Sequence, residues 1–265
     1  SALELGYCLV DTAQGYMNEN EVGAGVREFL EESGTPREDI FISSKLDPDA
    51  RTFKAAVEAG KESCAATGLG YVDLMLVHTP HGGKLIEVYD ALLELQAQGF
   101  VKSIGVSNFD NQHLDALEYY ERPAPAVNQI EMHPLIHTER ANLVERCKSS
   151  GIQVEAACPL LAGAPEIFQH RTLAEISAKI KRTPAQILLR WALQRGFVII
   201  PKSVDPERQA ENCKLFDFEL QPEELAALQD LHGPMGRQRL VLYPEAFGAT
   251  VDVGRSTARL FSESG

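Results

Sequence analysis

The sequence predicts an α/β protein built as a TIM-type parallel (β/α)8 barrel. Three observations carry this: β-rich runs alternate with amphipathic helical stretches, the runs start about 30 residues apart, and polar residues gather at their C-terminal ends. Strand, helix and strand in repetition is the pattern of a parallel sheet with right-handed crossovers. A spacing of about 30 residues is one βα unit when a barrel of roughly 250 residues is divided by eight. With 265 residues and 44% hydrophobic composition, the chain can bury a core of that size. No composition shift, low-complexity tract or Pro/Ser-rich linker divides it. Residues 1–265 are therefore expected to form one domain, with 233–265 as a C-terminal loop or tail.

The strand expectations, in order, are CLVDTA (8–13), FISSKL (41–46), VDLMLVH (72–78), VKSIGVSN (101–108), AVNQIEM (126–132), IQVEAACP (152–159) and FVIIPKS (197–203). Between them, the helical stretches include EVGAGVREFLEES, FKAAVEAGKESCAAT, KLIEVYDALLELQAQG and PAQILLRWALQRG. In the last, Pro184 falls in the first turn and Gly196 just past the end, the positions each favours at helix termini. The strand expectations number seven, and a closed barrel of this class needs eight.

Charge and cysteine usage narrow the function classes. A formal net charge of −13 and a pI near 5.0 argue against nucleic acid or an anionic membrane as partner. They leave room for a local basic pocket that holds a phosphate. The five cysteines, Cys8, Cys64, Cys147, Cys158 and Cys213, are odd in number and scattered. They read as reduced core thiols of a cytoplasmic protein rather than as a disulfide framework. No signal peptide or apolar run of membrane-spanning length is expected.

The ends of the apolar runs carry Asp11, Lys45, His78, Ser107 with Asn108, Gln129, and Lys202 with Ser203. In a (β/α) barrel those ends converge on the face where active sites are built. Solvent at strand ends accounts for polarity, but less easily for a carboxylate, an ammonium, an imidazole and several amides on one rim. Tyr16 follows Asp11 by five residues. A tyrosine, with a reference pKa of about 10, is a poor acid at neutral pH unless a nearby cation stabilises its phenolate. Lys45 supplies such a cation, Asp11 can hold the ammonium, and His78 can orient a substrate oxygen toward the Tyr16 hydroxyl. The set suits general-acid chemistry on an oxygen that becomes an alkoxide, as in carbonyl reduction.

DTAQGYMNENEVG, REDIFISSKL, LMLVH, KSIGVSNF, NQIEMHP and IPKSVDPERQAEN, in this order, resemble the successive signatures of the aldo-keto reductase family. The resemblance runs from about residue 5 to residue 230. It implies a (β/α)8 barrel, NADPH as hydride carrier, and a catalytic tetrad that falls on Asp11, Tyr16, Lys45 and His78. It places Ser107, Asn108 and Gln129 on the nicotinamide carboxamide. Lys202, Ser203 and Arg208 fall on the adenosine 2′-phosphate, and Glu211 and Asn212 on the adenine. The local reading agrees, since Lys and Arg bracketing a turn ahead of a helix make a phosphate site.

Three departures from the family pattern bear on the expected activity. Only SALELGYCLVDTA precedes the tyrosine segment, so the first barrel strand is expected to be missing, which would leave strand edges unpaired. In AACPL (156–160), where relatives read close to AYSPL, Ala157 replaces the aromatic ring that stacks on the nicotinamide. Thr79 follows the histidine where many relatives carry Trp. Both small residues imply a roomier pocket and a bulky substrate.

Other motifs read as structural. VGAGV (22–26) lacks the third glycine and the preceding strand of a dinucleotide turn, so helix packing is its expected role. His78 and His81 in HTPH are separated by Pro80 and have no ligand partners at metal spacing, and HGGK reads as a turn. No metal is expected. His133 is expected to be structural and Trp191 core. In the segment from His232, Arg237, Arg239, Tyr243 and Phe247 are available for substrate contacts, and a solvated tail fits equally.

The leading expectation is an NADPH-dependent carbonyl reductase for a bulky small-molecule substrate, working as a monomer or weak homo-oligomer in the cytoplasm. Two alternatives stay open. One is a cofactor-independent isomerase, dehydratase or cyclase that reuses the Tyr, Lys and His groups. The other is a catalytically silent binding or regulatory relative.

Overall fold

A computed structural model describes residues 1–46, 52–80 and 84–231. The expected tail at 233–265, with Arg237, Arg239, Tyr243 and Phe247, lies outside the described residues, as do His81 and the two glycines after it. The described residues form two compact units: Cys8–Asn128 with Ser150–Ile152, and Ser1–Tyr7 with Gln129–Ser149 and residues 153–231.

The first of these units alternates strand and helix as β1 (Leu9–Asp11), α1 (Glu19–Ser33), β2 (Phe41–Leu46), α2 (Phe53–Thr67), β3 (Val72–Val77), α3 (Leu85–Ala97), β4 (Val101–Ser107) and α4 (Asn111–Tyr119). All its strand pairs are parallel, with Asp11 opposite Ser43, Lys45 opposite Leu76 and Leu76 opposite Gly105. In β2 and β3 nearly every residue is buried, as parallel strands covered on both faces require. The Ala126 N–H donates to Ile104 O at 2.9 Å and leads the chain beside β4 into β5 (Val127–Glu131). Of the two glycines of VGAGV, Gly23 serves helix packing, since a Cβ there would lie 1.8 Å from the Thr67 carbonyl oxygen at the end of α2, whereas Gly25 is exposed with open space around it. Arg27 also donates to that oxygen.

The second unit contains α5 (Pro134–His137), α6 (Ala141–Ser149), β6 (Gln153–Ala157), α7 (Pro165–Phe168), α8 (Arg171–Ile180), α9 (Pro184–Gln194), β7 (Val198–Ile199), α10 (Pro206–Cys213) and α11 (Pro222–Gln229). Met132 N–H donates to Ala157 O at 3.1 Å, and β6 pairs β7 in parallel with Glu155 opposite Val198. Thr183 and Gln186 cap α9 reciprocally ahead of Pro184 in its first turn, and Gly196 follows it at φ 79°. Trp191 is fully buried, its ring 5.3 Å from His137 and 6.1 Å from Phe197.

Strand order repeats chain order from β1 to β7. The described residues thus carry seven parallel strands where a closed barrel has eight. One expectation is corrected: the strand expected over 197–203 is only Val198–Ile199. Pro201 has no N–H to give a ladder, so Lys202 and Ser203 sit in the loop before α10 rather than on a strand end.

Candidate active site

Asp11 ends β1 and Lys45 is the next-to-last residue of β2, so the parallel pairing of the two strands sets the carboxylate beside the ammonium. Lys45 is fully buried, and Asp11 retains 12% side-chain exposure. Lys45 Nζ donates to Asp11 Oδ2 at 2.5 Å, to Thr12 O at 2.9 Å and to Tyr16 Oη at 3.4 Å. The three ammonium protons are matched by three oxygens, so none is left unpaired where the side chain is buried. A hydroxyl that the sequence reading passed over completes the pair: Ser43 Oγ donates to Asp11 Oδ1 at 2.6 Å.

Tyr16 ends a 3-10 turn over Gln14–Tyr16 that Met17 closes in the left-handed region at φ 53°. Thr12 Oγ1 donates to Asn18 Oδ1 at 2.6 Å across this loop, and Gln14 Nε2 ties it to α2 through Ala59 O at 2.7 Å. The phenol is thus held at a fixed place while Tyr16 remains 50% exposed. His78, buried just past β3, presents its ring edge-on to Tyr16 at 5.9 Å between centroids and 87° between planes. Asp11, Tyr16, Lys45 and His78 are therefore brought together. Ser107 and Asn108 adjoin them: the buried Asn108, at φ 61°, donates from Nδ2 to His78 O at 3.0 Å and to Ser107 Oγ at 3.1 Å.

The remaining expected residues belong to the second unit. Gln129 lies in the middle of β5 rather than at its end, and its Nε2 donates to the buried Glu155 Oε1 at 2.5 Å. Lys202 and Arg208 are exposed, Ser203 half-buried and Asn212 buried. Asp205 caps α10 by accepting from Glu207 N–H at 2.8 Å and Arg208 N–H at 3.3 Å. Gln209 Nε2 holds Ser203 O at 2.8 Å, and Glu211 Oε1 accepts from Thr183 Oγ1 at 2.8 Å.

Thr79 is 2% exposed and Ala157 half-buried, so of the two small replacements only Ala157 reaches solvent. Burial, helped by Glu131, pushes the neighbouring Cys158 thiol up, which keeps it protonated and a poor nucleophile. The buried His133 is hydrogen-bonded to Glu131 at 2.9 Å, which suits the structural role expected of it. Among the described residues no three His, Cys, Asp or Glu side chains group as a metal site, and no helix is long and apolar enough to cross a membrane.

Similar proteins align along most of the chain. An uncharacterised oxidoreductase of Schizosaccharomyces pombe is 41% identical over 232 residues, 87% of this chain and 82% of that protein. The 9,11-endoperoxide prostaglandin H2 reductase of Trypanosoma cruzi is 38% identical over 87% of this chain and 80% of its own length. Among solved structures, a Bombyx mori aldo-keto reductase in complex with NADP aligns with a TM-score of 0.80 at 35% identity, covering 86% of this chain and 80% of that one. The model of the Aldo/keto reductase family matches residues 1–232, and with the tyrosine, lysine, aspartate and histidine gathered at the ends of parallel strands, the chain belongs to that family.

Proposed function

We propose that the protein is an NADPH-dependent reductase of aldehydes and ketones, with Tyr16 as the proton donor. The observation that carries the reading is the buried Lys45 ammonium, which touches both Asp11 and the hydroxyl of a half-exposed Tyr16. A phenol gives up its proton readily only when its anion is stabilised, and Lys45 is the cation in place to do so. Asp11 neutralises and fixes Lys45. His78 stands at the side of the phenol where a substrate oxygen would be held between the two rings. Met17, 89% exposed beside Tyr16, and the half-buried Ala157 support a bulky carbonyl substrate.

The residues present fit the cofactor. The first amides of α10 are taken by Asp205, so a 2′-phosphate there would be held by the exposed side chains of Lys202 and Arg208 together with Ser203. Ser107, Asn108 and Gln129 would hold the carboxamide, and Glu211 and Asn212 the adenine. NADPH, when bound, supplies the hydride. Substrate reduction then requires this chain to deliver one proton, from Tyr16 Oη to the carbonyl oxygen. The five free thiols suit the cytoplasm, and a monomer or weak homo-oligomer suffices for the reaction.

The test is NADPH oxidation with para-nitrobenzaldehyde beside calorimetric titration of NADPH. Tyr16→Phe should lose at least about 100-fold in kcat. The double variant Lys202→Ala/Arg208→Ala should bind NADPH about 100-fold more weakly and leave NADH binding unchanged. Absence of NADPH binding by the folded protein would overturn the reading.

A further inference from the structure

We propose that Ser43 is a positioning residue for proton transfer at Tyr16, an inference that rests on the reading of Tyr16 as the acid. Ser43 is fully buried and sits opposite Asp11 in the β1–β2 pairing. A carboxylate only accepts hydrogen bonds, so the 2.6 Å contact commits the single Ser43 proton to Asp11 Oδ1. Lys45, two residues on and on the same face of β2, takes Oδ2 at 2.5 Å. One strand therefore grips both oxygens of the carboxylate and fixes its plane.

The consequence passes to Tyr16 through the ammonium. Its three protons leave in fixed tetrahedral directions, so a turn of Asp11 about its own axis drags Nζ and re-aims the other two bonds. Of these, the bond to Thr12 O is 2.9 Å and the bond to Tyr16 Oη is 3.4 Å. The longer has the least distance to give before it ceases to be a hydrogen bond. Loss of the Ser43 hydroxyl thus weakens the hold on the phenol first, without touching substrate or cofactor.

The neighbouring serine supplies an internal control. Ser44 is equally buried, points to the opposite face of β2 and donates to the buried Glu19 Oε1 at 2.5 Å. Both serines are buried donors to carboxylates, and only one of the carboxylates holds Lys45.

The test compares Ser43→Ala, Ser43→Thr and Ser44→Ala in the full chain with para-nitrobenzaldehyde and NADPH, with Tyr16→Phe alongside. For Ser43→Ala, kcat should fall about tenfold, with KM and the NADPH Kd within about twofold. Ser43→Thr retains the hydroxyl and should restore the wild-type kcat, whereas Ser44→Ala should lower the melting temperature and leave kcat in place. A Ser43→Ala kcat within about twofold of wild type, a Ser43→Thr variant as impaired as the alanine, or an equal loss of kcat in Ser44→Ala would overturn the proposal. An active Tyr16→Phe enzyme would instead bring down the underlying assignment of the acid, and Ser43 with it.

Discussion

Replacing Asp11 by Asn tests the centre of the site most directly. The substitution keeps the shape of the side chain and removes its charge, leaving the fully buried Lys45 ammonium with Thr12 O and Tyr16 Oη as neutral partners. Removing one member of a buried ion pair costs about 3–5 kcal/mol, because the remaining charge is desolvated and uncompensated. Asp11 keeps 12% exposure, and the amide oxygen of Asn can still accept from Nζ, so about 3 kcal/mol is expected. Lys45→Met removes the cation instead and leaves a carboxylate that touches solvent and keeps its Ser43 bond, for an expected loss of about 2 kcal/mol. In Asp11→Asn/Lys45→Met no charge is buried, so the double variant should be more stable than the sum of the two losses by about 2 kcal/mol. Urea midpoints at a common m-value measure all four corners of the cycle. An Asp11→Asn loss within about 0.5 kcal/mol of zero, or strictly additive losses, would refute the argument, for then Lys45 is not a buried cation dependent on Asp11.

Three further outcomes follow from the geometry. Gly23→Ala sets a methyl group 1.8 Å from the Thr67 carbonyl oxygen, so despite the better helix propensity of alanine a net loss of at least about 2 kcal/mol should appear in thermal melts. His137 has its pKa lowered by burial and then by Arg195 from 6.5 to about 4, so between those values the unfolded chain binds the proton that the folded chain refuses. The contribution of His137 is complete above pH 6.5 and is lost as pH falls toward about 4, by about 1–2 kcal/mol since solvent screens the half-buried ring; His137→Phe should flatten that part of the stability–pH curve. Asp205→Ala removes the α10 cap and should lower the urea midpoint by the equivalent of about 1 kcal/mol.

Much of the fold could be read from the residues because its strongest signals are local. FISSKL and FKAAVEAGKESCAAT give β2 and α2 with their ends in place, since a short run between a turn and a loop and a helix closed by glycine are self-contained patterns. The shortening of β7 is equally local and lies in Pro201. Within the site, Asp11, Lys45, Tyr16 and His78 stood out because ionisable groups are costly where apolar runs end. Ser43 did not, because a serine in a β-rich run carries no cost that asks for an explanation. Glu19 reads as an ordinary acid in the first turn of α1, yet it is buried and held by Ser44 and Ser63, which are 25 and 44 residues away in the chain. Glu155 likewise becomes meaningful only when β5 and β6 bring it to Gln129. Pairings of this kind depend on register, and no periodicity in the sequence carries that information.

The strand β2 shows why stability and chemistry are hard to separate in this protein. Its residues from Ile42 to Leu46 are all buried, and three of the five are polar. Each polar side chain is satisfied from a neighbouring element: Ser43 and Lys45 by the end of β1, and Ser44 by Glu19 of α1. A buried polar group left without its partner costs more than the bond contributes, so β2 is stable only with β1 and α1 in register. That same register sets Lys45 Nζ within reach of Tyr16 Oη. Mutations that loosen β1 against β2 should therefore lower kcat before they unfold the chain, since the 3.4 Å contact fails at smaller displacements than the 2.5 Å ion pair. An apolar redesign of these three positions would gain stability only if Asp11 and the buried Glu19 were made apolar with them, since either carboxylate left alone loses its donors. Such a redesign would also remove the cation that touches the Tyr16 hydroxyl, so the polar groups of β2 are tied to the geometry of the site.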